Sequence, residues 1–95
     1  MPAFIVATIR ITDPEKFKGY TDAIAGLSDQ FGGEGVVKAQ IKDVMEGDAP
    51  AGERVVVVKF PDEASARAYL SDPRYLEGKA KRDGAADVVM RLVVV

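Results

Sequence analysis

Apolar residues alternate from Ala3 to Ile11, with Ile5, Ala7, Ile9 and Ile11 on one side and Phe4, Val6, Thr8 and Arg10 on the other. A period of two marks a strand; here one face is wholly apolar and the other turns polar along its length. The period then changes. Phe17, Tyr20, Ile24, Leu27 and Phe31 recur at helical spacing and form one apolar stripe. Thr12-Asp13-Pro14-Glu15 opens this helix with a capping side chain, a proline suited to the first turn and an acid at the positive helix end. Gly32-Gly33 closes it, so the helix is predicted to run to about Phe31.

A second strand is predicted from Gly35 to Met45, with Val37, Ala39 and Ile41 on one side and Lys38, Gln40 and Lys42 on the other. Its phase slips near Asp43, the mark of a bulge or an edge. Glu46 to Gly52 is a loop by composition. Arg54 to Phe60 is a third strand, apolar on both faces until Lys59. Pro61-Asp62 opens a helix over Glu63 to Leu70, burying Ala66, Tyr69 and Leu70, and Asp72-Pro73 opens a further short helix reaching about Lys81. Asp83-Gly84 breaks the chain before a fourth strand, Asp87 to Val95, apolar enough to be covered on both faces.

This order, β-α-β-β-α-β, predicts an α+β fold of the ferredoxin-like type, with a four-stranded antiparallel sheet and its helices on one face. The helices leave the other face uncovered. That face carries Phe4, Val6 and alternate valines of the third and fourth strands, and an exposed apolar area of this size marks an interaction site. Two sheets packed face to face would bury it, so the expected assembly is a homodimer forming a dimeric α+β barrel.

The length of 95 residues, 47% of them hydrophobic, fits one domain spanning 1–95. The 13 basic and 15 acidic residues are interspersed. The longest basic cluster, Lys79-Ala80-Lys81-Arg82, is short and followed by Asp83, so no nucleic-acid partner is expected. No apolar run approaches the roughly 20 residues that span a bilayer, and no membrane partner is expected. Arg10 and Asp13 interrupt the first apolar run before it takes signal-peptide form, which makes the expected location cytoplasmic.

Several short motifs stand in a fixed order: Met1-Pro2-Ala3-Phe4-Ile5-Val6-Ala7, Thr12-Asp13-Pro14-Glu15, Phe31-Gly32-Gly33, Glu46-Gly47, Phe60-Pro61, Ala66 with Tyr69-Leu70, and Asp72-Pro73-Arg74-Tyr75. Together they resemble the bacterial family catalogued as domain of unknown function number 1330, over essentially the whole chain. The resemblance implies a dimeric α+β barrel and no particular activity. The chain departs from the family pattern at Glu34, where a basic residue is usual, at Gly35, where an aromatic or aliphatic is common, and at Lys59, where an acid often stands. Arg82 matches a basic residue that the family places after its third helix.

The sequence holds no cysteine and no histidine. Disulfides, cysteine nucleophiles and histidine-based triads are thereby excluded, and zinc, copper and haem sites lose their usual ligands. Neither a metal nor a cofactor is expected. Asp13–Glu15, Asp43–Glu46 and Asp62–Glu63 read as caps and solvated loop. Gly32-Gly33-Glu34-Gly35 follows a helix and opens a strand, the reverse of a phosphate-cradling loop, and reads as a cap and turn.

The candidate ligand-binding residues are Arg10, Lys38, Tyr75 and Arg82; no catalytic residue is assigned. Arg10 with Thr8, and Lys38 with Gln40, are expected on the sheet face away from the helices, offering cations to a carboxylate or enolate at the mouth of a cleft. The competing reading makes the lysines an edge strand's defence against further pairing. Tyr20 and Tyr69 read as core, and Tyr75 beside Arg82 as a pair facing a cleft. The functional expectation is a binding module for a small anionic metabolite. A cofactor-independent oxygenase or isomerase of the barrel type, and a purely structural dimer, are the alternatives.

Overall fold

A computed structural model describes residues 1–95. Four strands, β1 (Ala3–Ile11), β2 (Glu34–Gln40), β3 (Arg54–Phe60) and β4 (Ala86–Val94), form one antiparallel sheet in the order β2-β3-β1-β4. Helices α1 (Pro14–Ala23), α2 (Glu63–Ser71) and α3 (Pro73–Lys81) lie on one face, giving the ferredoxin-like order with its second helix broken in two. The break is chemical. Asp72 ends α2 in extended backbone and its carboxylate accepts from the Arg74 amide at 2.8 Å, while Pro73 takes the first position of α3. Asp13 and Asp62 cap α1 and α2 in the same way, accepting from the Lys16 and Ser65 amides. No helix is long and apolar enough to cross a membrane.

The first helix is shorter than its stripe predicts. It ends at Ala23, and Gly26 turns the chain with φ of 72° before a single 3-10 turn, Ser28–Phe31. Leu27 is nevertheless buried and Phe31 half-buried, because the turn returns the chain to the side the helix had faced.

The strand register defines two sheet faces. Ile5, Ala7 and Ile9 pair with Val58, Val56 and Arg54 on β3 and with Leu92, Met90 and Val88 on β4, all pointing toward the helices. The core forms there, from Ala3, Ile5, Ala7, Ile9, Phe17, Tyr20, Leu27, Phe60, Ala66, Tyr69, Tyr75 and Ala85. Phe4, Val6 and Thr8 pair with Lys59, Val57 and Val55 and with Val93, Arg91 and Val89 on the other face, which no element covers. Only 13 of 95 residues are buried, and the chain is a slab of 32 × 30 × 15 Å. β4 is an edge strand covered by the helices on one face, with Val89 and Val93 nearly half exposed on the other, the face expected to meet a second sheet.

β2 differs most from expectation. It stops at Gln40, and the chain from Lys42 to Gly52 is exposed and irregular. Its bulge lies between Gly35 and Val37 and not near Asp43. Past that bulge Val37 pairs with Val57 and Ala39 with Val55, so the apolar side of β2 joins the uncovered face. Lys38 and Gln40, opposite Val56 and Arg54, point to the helix side. They therefore do not share a face with Arg10 and Thr8, as the sequence suggests. One extra residue in a strand of period two reverses every side chain beyond it.

Candidate functional site

The helix layer stops short of β2. α1 packs on α3 and α2 on the central strands, which leaves a cleft between the end of α1 and the β2–β3 edge. The cleft holds about 310 Å3, within the roughly 300–1,000 Å3 typical of small-molecule sites. Ile5, Ala7, Ile9, Val56 and Val58 form its floor, Phe17, Tyr20 and Ile24 its helical wall, and Tyr69 and Met90 its inner end.

Two cations enter this apolar space. Lys38 and Arg54 both line the cleft, and their positions are diagonal neighbours across the β2–β3 ladder, roughly 7–8 Å apart at their side-chain origins. Neither forms an ion pair, all four of which lie elsewhere. No aspartate or glutamate lines the cleft. Thr21 and Ser28 add hydroxyl groups from the opposite wall.

Behind the cleft stands a cluster of three phenols. Tyr69 and Tyr75 have ring centroids 5.1 Å apart, and Tyr20 meets Tyr75 edge-on at 6.3 Å. Tyr75 is buried, donates to the Met90 sulfur at 3.4 Å and accepts from the Arg82 guanidinium at 3.0 Å. Arg82 also lies over the Tyr20 ring, 4.8 Å from its centroid. Burial pushes the Tyr69 hydroxyl up to about 12, with Tyr75 adding to it and Arg82 opposing. Burial, and then the neighbouring Tyr75, push Tyr20 further in the same direction.

The four residues singled out from the sequence fall into three places. Tyr75 and Arg82 do meet, but Tyr75 is a core residue outside the cleft lining, packed against Tyr20 and Tyr69. Lys38 is in the cleft. Arg10 is on the uncovered face, paired with Asp87, which raises the guanidinium's affinity for its proton. Sequence reasoning missed Arg54, which stands alone at the head of a run of valines. Its alternation with Val56 and Val58 places it on their face, and that was the signal available. Tyr20 and Tyr69 are core residues, as expected, yet each also presents an edge to the cleft. A second hollow of about 450 Å3, between α3 and β4, is shallow and open, with Lys79 and Arg82 beside Asp83. Nowhere do three metal-ligating side chains converge.

The same architecture recurs in solved structures. A protein of unknown function from Rhodopseudomonas palustris is 20% identical, with a TM-score of 0.75 over 97% of this chain and 80% of that one. SnoaB, a cofactor-independent oxygenase from Streptomyces nogalater, is 14% identical, with a TM-score of 0.69 over 99% of this chain and 92% of its own. A dimeric ferredoxin-like protein of unknown function from Jannaschia sp. CCS1 is 12% identical, with a TM-score of 0.69 over the whole of both chains. Likeness at these identities establishes the fold. No curated protein matches the chain. The model of one family matches residues 2–95, and the chain belongs to that family, described as domain of unknown function DUF1330.

Proposed function

We propose that the chain binds a small apolar acid in the cleft between α1 and the β2–β3 edge. The observation that carries this reading is the lining: two cations without carboxylate partners, no acid, and otherwise mainly hydrophobic wall. An apolar body would displace water from Ile5, Ile9, Val56 and Tyr69, while its anionic group would meet Lys38 and Arg54 at the mouth. A neutral ligand would leave both cations solvated but unused, and a cation would be repelled. Binding without chemistry fits the cleft better than proton abstraction does. The lining offers neither histidine nor carboxylate as a base, and burial drives Tyr20 and Tyr69 away from neutral pH.

Anilinonaphthalene sulfonate and its uncharged counterpart phenylnaphthylamine test the charge requirement by fluorescence titration. A hydrogen bond to a charged group contributes about 1.5–3 kcal/mol when well formed. Lys38 is exposed, so the lower end applies and the anion should bind about tenfold more tightly. Lys38→Met with Arg54→Met should erase that preference while leaving the circular dichroism unchanged. Equal binding of both probes by the wild type would refute the reading.

The uncovered sheet face supports a homodimer as the form in which this site exists. Val37 and Ala39 of β2 turn toward that face and away from the helices, extending the patch made by Phe4, Val6, Val55, Val57, Val89 and Val93 to all four strands. An edge strand that presents its apolar side away from its own core has that side available for another chain.

A further inference from the structure

Gly32, Gly33 and Gly35 stand close together, and the backbone accounts for only two of them. Gly32 has φ of 78°, in the left-handed region that favours glycine. Gly33 is a packing glycine: a Cβ there would lie 2.9 Å from the Ser28 carbonyl oxygen and 3.0 Å from the Phe60 ring. Gly35 has neither reason. Its φ lies outside the left-handed region, and nothing stands within 4 Å of the place its Cβ would occupy.

A glycine inside a strand loses packing and order, and is retained for a bulge, a close backbone or a close ligand. The glycine type of bulge needs positive φ, which Gly35 lacks, and the extra residue in this ladder is Val36. No other backbone approaches. The ligand explanation remains, and the position agrees with it. Gly35 pairs with Val58, which pairs with Ile5, so the missing side chain would point into the cleft. Lys38 is the next residue on the same face of β2 beyond the bulge.

We propose that Gly35 sets the size of the acid the cleft accepts, by leaving a flat stretch of peptide beside Lys38 against which a fused aromatic ring can lie. The ligand class is a bicyclic or larger aromatic carboxylate, its ring between Gly35–Val58 and the Ile24–Ala25 wall and its carboxylate at Lys38 and Arg54. This rests on the reading of the cleft as an acid site. Tyr20, Tyr69 and Phe17 supply the aromatic surface that such a ring meets further in.

Calorimetric titration of benzoate and naphthoate into the wild type, Gly35→Ala and Gly35→Leu tests the assignment. The wild type should favour naphthoate. Gly35→Leu should lower the naphthoate-to-benzoate affinity ratio by about tenfold or more, with Gly35→Ala between. Both variants should melt at or above the wild-type temperature, because a side chain there meets empty space. A lower melting temperature in both would make Gly35 a structural glycine and overturn the proposal. So would an unchanged ratio with both acids still bound, and the acid-site reading would then survive. Failure of both acids to bind the wild type would remove that reading and this proposal together.

Discussion

The proposed dimer predicts a particular consequence for Val57→Asp. Val57 sits in the middle of the uncovered face, between Val6 of β1 and Val37 of β2, and points away from the core. Four strands at about 4.8 Å and seven paired positions at about 3.4 Å give a face of roughly 19 × 24 Å, or about 450 Å2 in plan. Side-chain relief raises the accessible area toward the roughly 800 Å2 per partner of a standard interface. In a monomer the new carboxylate would face water and cost little. In a face-to-face dimer it would be buried among valines, at about 3–5 kcal/mol where neither Lys59 nor Arg91 of the same face reaches it. A two-fold interface brings two such groups, so the loss is about 6–10 kcal/mol, more than 10^4-fold in dimer affinity. Sedimentation velocity across a concentration series reads the outcome, with circular dichroism to verify the fold. The wild type should sediment as a dimer and Val57→Asp as a folded monomer. A monomeric wild type, or a variant that stays dimeric, would refute the argument from the uncovered face.

Two further predictions concern the fold around the cleft. Gly78 lies where α3 crosses α1, and a Cβ there would stand 2.7 Å from the Ile24 Cγ2 methyl. Gly78→Ala gains about 1 kcal/mol of helix propensity but adds about 1–3 kcal/mol of overpacking, so thermal melting should show a loss of about 0–2 kcal/mol. A clear gain in melting temperature would show that Ile24 swings aside. The raised pKa values of Tyr20 and Tyr69 give a second test. A group whose folded pKa lies above its unfolded value contributes stability fully present below the unfolded value, here 10, and lost as pH rises through the folded one, about 12 for Tyr69. Denaturant midpoints should therefore hold up to pH 10 and fall between pH 10 and 12. Tyrosinate absorbance assigning Tyr20 and Tyr69 to ionisation near pH 10 without unfolding would contradict their burial.

The strand β1 is legible from its alternation, β3 and β4 from near-continuous valine-rich runs bounded by turn residues, and the helix starts from aspartate and proline, which act locally. The end of α1 is not. Leu27 and Phe31 keep helical spacing after Gly26 has broken the helix, since the 3-10 turn returns them to the same side. Spacing reports which side a residue faces, and a continuous helix and an interrupted one can satisfy it equally. The burial of Tyr75 is hard to read from sequence for a related reason. α3 carries few apolar residues, so its stripe is faint, yet the close approach at Gly78 draws it onto α1 and buries the ring between Tyr20 and Tyr69.

β2 is the element whose facing the sequence leaves undetermined. Its alternation sorts the side chains correctly, Val37 and Ala39 on one side and Lys38 and Gln40 on the other. What alternation cannot supply is the phase of an edge strand relative to its sheet. The ordinary rule turns apolar positions toward the helices, and it would send the lysine outward beside Arg10. That rule assumes the helices reach the strand. Here they do not, so the helix side of β2 opens on the cleft and the bare side of the sheet takes the strand's apolar residues. Lys38 thus reaches the site together with Arg54, and Arg10 is left outside on a face whose valines need a different partner. The cleft's charge and the sheet's exposed patch are two consequences of the same uncovered edge strand. A change of its register by one residue would place Lys38 on the valine-rich face and turn Val37 and Ala39 into the cleft.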